Sequence, residues 1–278
     1  MKLMDYIDSS YFSHTLLIVV AITFIVYNPG LPVAVSAQTI AFQNKIASLK
    51  PGDNVLIVYM IGASEYAVVG PAAEIVIRDI MIQSVNVAVL STTPDGPQLM
   101  DRFIGLPDAF KIEEMKGKTY GKDYVNIGYL AGGEVMFVSF GNDVQGTAVK
   151  DFYGTPIDQL PMMQKMKTYK DINLVVFVIP SPPAGLVRVF STTFNLPMIG
   201  VITGGEYPGA LVYFPNQIKG LLNGLKGGGE LETLLHKPGA CLASTDPVTA
   251  LLFMNVGLLI LGNILFYVKR TKGVKKSG

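Results

Sequence analysis

The chain has 278 residues, and 22 basic side chains against 21 acidic ones leave a net charge of +1. That balance supplies no field to hold a nucleic-acid backbone, so nucleic acid is excluded as an expected partner. Half of the residues are hydrophobic and 15% are charged, with a mean hydropathy of +0.41, higher than in most soluble domains.

Residues 15–27, TLLIVVAITFIVY, are unbroken apolar or small side chains, and counting from Tyr11 makes seventeen. That is just enough for a membrane helix, and Asn28-Pro29-Gly30 ends it. The stretch reads as an uncleaved anchor, or as a secretory signal peptide with Val35-Ser36-Ala37 as its small-residue cleavage site. The anchor is preferred, because Lys2 is the only basic side chain ahead of it and Asp5 and Asp8 oppose that charge. On both readings residues 1–37 export the middle of the chain.

Residues 38–239 carry the pattern of a folded α/β domain. Residues 54–61 (NVLIVYMI) follow the turn Pro51-Gly52-Asp53 and are nearly all apolar, as in a strand buried on both faces. Helical spacing fills 67–84, residues 86–90 form a second strand, and a helix begins within 97–103. Further strands are expected at 124–130, 173–179 and 198–202, with helices over 185–194 and 215–225. Residues 134–140 (EVMFVSF) alternate like a strand, but a crossover is needed there, which favours helix. The strand–helix alternation predicts a doubly wound, mostly parallel sheet of the Rossmann or flavodoxin-like kind.

Gly220, Gly224 and Gly228 recur every four residues in KGLLNGLKGGGELE. On a helix they would form one smooth stripe, serving an interface with another subunit or close packing on the protein's own sheet. Residues 247–268 (PVTALLFMNVGLLILGNILFYV) then run twenty-two positions without a formal charge. A bilayer core of about 30 Å needs about 20 such residues, so 240–268 is expected to span. Residues 269–278 hold five basic side chains and no acid. Retention of basic flanks in the cytoplasm puts this tail inside and the 38–239 domain outside the cell membrane. Cys241, the only cysteine, excludes an internal disulfide and reads as a small buried residue.

Catalytic equipment is sparse. His14 and His236 bracket the domain, so no Ser-His-Asp or Cys-His set is expected, and no zinc spacing occurs. Ile61-Gly62-Ala63-Ser64-Glu65 stands where a glycine-rich phosphate loop would follow the first strand, so no nucleotide cofactor is expected. Ligands of such sheets sit at the carboxyl ends of the strands. The candidate ligand groups there are Ser64, Glu65 and Tyr66, then Ser91, Thr92 and Asp95, then Thr203, Gly204 and Glu206. Glu65 and Glu206 are the candidate acid/base pair.

Five segments carry a resemblance: NPGLPV (28–33), KPGDNVLI (50–57), YGKDYVNIGYLAGGE (120–134), FYGTPIDQLPMM (152–163) and GLLNGLKGGGELE (220–232). In this order they resemble a family of bacterial and archaeal membrane-anchored α/β proteins with no established activity. The resemblance implies the fold and the anchoring and brings no reaction. The expected function is a non-enzymatic membrane subunit that assembles with copies of itself or with other membrane subunits. A ligand-sensing domain is the alternative, and a hydrolase or transferase the third.

Overall fold

The computed structural model describes residues 10–27, 33–104 and 117–274. The helices that matter are α1 (Ser10–Tyr27), α2 (Ala37–Ala47), α3 (Ala63–Ile82), α4 (Gly96–Ile104), α5 (Gly133–Asn142), α6 (Ala184–Leu186, continued by the π-helix Val187–Thr193), α7 (Gly224–Leu234) and α8 (Ala240–Val274). One unit of the chain holds α1 and α8, and the other spans Val33–Lys237.

The Val33–Lys237 unit is built on six parallel strands: β1 (Asn54–Tyr59), β2 (Asn86–Ser91), β3 (Tyr124–Tyr129), β4 (Leu174–Ile179), β5 (Met198–Ile202) and β6 (Ile218–Asn223). Their order is β3-β2-β1-β4-β5-β6, the arrangement of a Rossmann-like sheet with its reversal between β1 and β4. Every residue of β1 and β4 is buried, as strands covered on both faces must be. On one face Leu56, Val58, Val175 and Phe177 pack under Phe137, Phe140 and Phe190 from α5 and α6. On the other, Val55, Ile57 and Val87 are equally buried, and α2, α3 and α7 lie over the sheet there. Residues 133–142 are helical, so the crossover outweighs the local alternation.

The segment 215–225 departs from expectation. It holds strand β6, not a helix, and the three glycines share no helical stripe. Gly220 lies in β6, where a Cβ would stand 2.3 Å from Cα of Phe42 and 2.5 Å from its backbone N. The backbone of α2 crosses the strand at contact distance, and glycine in a strand often marks such an approach. Gly224 makes the strand-to-helix turn at φ +45°, and Gly228 is buried within α7. Four-residue spacing imitated a helix because two glycines serve the strand and its turn.

In the other unit α1 packs against α8. Among the described helices α8 alone is long and apolar enough to cross a membrane. Its segment Ala240–Tyr267 is 28 residues, with an 18-residue window whose mean hydropathy is 2.1 and none of which is buried. At 1.5 Å per residue it reaches about 42 Å, beyond a hydrocarbon core of about 30 Å. The apolar part of α1, Tyr11–Tyr27, is shorter, so the expected N-terminal span lacks the same support. Cys241 is buried, and Lys275 and Lys276 lie outside the described residues.

Candidate functional site

The carboxyl edge of the sheet is where this fold would bind a ligand, and the first turn of α3 is its centre. Ser64, Glu65 and Tyr66 lie on that turn and not in a loop. The free N–H groups of a helix start attract anions. Here they meet the protein's own carboxylates: Gly62 N–H donates to Glu65 Oε2 at 2.9 Å, and Ala63 N–H to Asp95 Oδ2 at 2.7 Å. A phosphate approaching within about 4 Å would face repulsion of about 1 kcal/mol per charge pair in water and about 4 kcal/mol near a protein surface. Those two donors are taken and the charge is of the wrong sign.

Three of the hydroxyls expected to face a ligand, those of Ser64, Ser91 and Thr203, are engaged within the protein. Ser91, buried at the end of β2, accepts from Thr93 N–H at 3.2 Å, and Thr93 Oγ1 donates to Ile61 O at 2.9 Å. Ser64 Oγ donates to Glu65 Oε1 at 2.6 Å, and Thr203 Oγ1 to Pro180 O at 3.1 Å. The β1 and β2 loops are thus bonded to each other, while Thr203, Gly204 and Glu206 follow β5, on the far side of β4. Gly204 is exposed at that turn and Thr92 is half-buried.

The carboxylates do not suit acid/base work. A general base at neutral pH needs a raised pKa, whereas the bonds from Ser64 and Gly62 hold Glu65 below the ordinary glutamate range. Its contribution to stability is therefore present above the unfolded glutamate pKa and lost as pH falls through the folded value. Glu206 follows a strand that β4 separates from β1, and no hydrogen bond joins the two glutamates. Under this edge Tyr59 is fully buried, its hydroxyl without a partner, and burial raises its pKa above the usual tyrosine value. Above it the Arg102 guanidinium lies 5.7 Å from the ring centre of Tyr66.

A cluster that the sequence reading missed is chemically richer. Glu230, on α7, is 2% exposed, and its Oε2 accepts from Ser36 Oγ at 2.6 Å, Thr39 Oγ1 at 2.7 Å and Ser36 N–H at 3.0 Å. Ser36 is the N-cap of α2, and Thr39 lies in that helix's first turn. Lys226 Nζ stands 3.9 Å from the other oxygen, and Glu230 helps to raise the pKa of the half-buried Tyr207, after burial itself. Three donors on one oxygen make an anchor that ties the start of α2 to α7. The available signals were a Ser-x-x-Thr start to an apolar helix and a Lys226-x-x-x-Glu230 pair.

A second polar cluster holds β3. Asp151, nearly buried, accepts from Tyr120 Oη at 2.8 Å and from the N–H groups of Thr155 and Tyr153. Among the described residues no group of three histidines, cysteines or acids could hold a metal ion. No family model and no curated protein matches the chain.

Proposed function

We propose that the protein is a membrane-anchored, non-enzymatic α/β subunit whose globular unit works in the assembly of a membrane-associated complex. The observation that carries this reading is α8, which leaves Leu252, Phe253, Leu259 and Phe266 each more than half exposed. In water that surface would be a large uncovered apolar patch, whereas in lipid it is matched. A core helix of a soluble protein would be covered. The carboxyl-edge groups Ser64, Glu65, Ser91, Asp95 and Thr203 support the non-enzymatic part, since each spends hydrogen bonds within the protein.

On this reading α1 accompanies α8 as a second anchor segment. Cleavage at Val35-Ser36-Ala37 would strip Ser36 from the folded unit and remove two of the three donors to Glu230. The N-terminal segment is therefore retained, and the intact mass of the membrane-extracted protein is expected to include residues 1–37. A mature N-terminus at Gln38 would refute that. The globular unit lies outside the cell membrane and the tail from Lys269 inside. Protease added to spheroplasts should digest the unit and spare a tag placed after Gly278.

The assembly claim has its own test. Gentle detergent extraction followed by native mass spectrometry is expected to show a homo-oligomer or a co-purifying membrane subunit. A lone monomer across detergents would contradict it.

A further inference from the structure

Asp79 lies on the buried side of α3, 3% exposed, among Val76, Ile77 and Ile80. Its Oδ2 has no hydrogen-bond partner, and on α2 the buried Oε1 of Gln43 has none either. The two side chains are neighbours, the Gln43 carboxamide lying close enough to act on the Asp79 carboxyl. With the carboxyl ionised, the pair has two buried acceptor oxygens and no donor for either, an arrangement that costs the desolvation of both groups. Neither oxygen is open to water. A proton is the one species that fits.

We propose that Asp79 keeps its proton in the folded protein at pH values where an exposed aspartate is ionised. Its Oδ2–H donates to Gln43 Oε1, and the Gln43 N–H donates back, closing an acid–amide ring that clasps α2 to α3. Raising the pH sends that proton to solvent, breaks the Oδ2–H···Oε1 bond and leaves a carboxylate among aliphatic side chains. The clasp thus makes the packing of α2 sensitive to pH, independently of the membrane reading.

The surrounding charges are consistent with this. The helices of this layer carry Lys45 on α2, Glu74 and Arg78 on α3, and Lys226, Glu230 and Glu232 on α7, with Lys237 just beyond. Glu74 and Arg78 pair with each other at 2.7 Å, and Lys226 stands nearest Glu230. Only Lys237 exerts a charge effect on Asp79, favouring the carboxylate, and its side chain is exposed and screened by solvent. Burial is the larger influence and raises the Asp79 pKa. With the folded pKa raised, the clasp contributes fully below the unfolded value of about 3.9 and is lost as pH rises through the folded value.

The test uses the full chain in detergent micelles with carboxyl-¹³C aspartate. One resonance, absent from Asp79→Asn, is expected to titrate with its midpoint above about 3.9. The asparagine keeps both hydrogen bonds at every pH, so wild type should lose stability relative to Asp79→Asn as pH rises. A midpoint for Asp79 at or below the ordinary aspartate value, or a difference between the two proteins that is flat with pH, would overturn the proposal. Should the variant fail to fold, the wild-type titration decides alone.

Discussion

Replacing Glu230 by alanine is expected to destabilise the globular unit by about 3–5 kcal/mol, as removal of a buried charged partner usually does. Three donors, two of them from Ser36 and one from Thr39, would lose their only shared acceptor in a site that water reaches poorly. For a domain of about two hundred residues each kcal/mol lowers Tm by roughly 2–4 °C, so the loss is readily measured by thermal unfolding. Lys226→Ala is the control. Its side chain is 67% exposed, with Nζ 3.9 Å from the carboxylate, a geometry that contributes at most about 0.5 kcal/mol. If the alanine variants at 226 and 230 were equally mild, Glu230 would not be the anchor of α2.

The second large effect belongs to Gly220→Ala. A single methyl there would sit 2.3 Å from Cα of Phe42, and the atom in its way is backbone, which cannot rotate aside. Helix α2 would have to lift from β6, and overpacking of this kind costs about 3 kcal/mol. Gly205→Ala is the matched control, because a Cβ at Gly205 meets nothing within 4 Å and its φ is unexceptional. Denaturant midpoints should separate the two by several-fold in free energy. Equal midpoints would mean that α2 does not press on β6.

These two positions also show what could be read from the chain in advance. Strands β1, β2, β4 and β5 were legible because burial on both faces leaves continuous apolar runs between turn residues, and their alternation with helices fixed the parallel class. Strand β6 was not legible. Its Gly220 is there for a helix more than 170 residues earlier in the chain, and local spacing carries no trace of that crossing. The candidate site divides in the same way. Sequence position alone places Ser64, Glu65, Ser91 and Asp95 at the carboxyl edge, but hydrogen-bond partners decide their role, and the partners are one another or the backbone. Glu230 escaped notice because its donors come from the opposite end of the domain. Asp79 escaped because an acid within a helical stretch reads as solvated until burial is known.

The central claim is that α8 holds the chain in a lipid bilayer, and extraction of membranes with alkaline carbonate tests it most directly. Carbonate releases proteins held by charge or by peripheral contact and leaves those whose apolar helices cross the hydrocarbon, where transfer to water would expose about 20 residues of apolar surface. The full chain is predicted to remain in the membrane pellet after carbonate and to leave it only with detergent. Release into the carbonate supernatant as a folded, soluble protein would contradict the account.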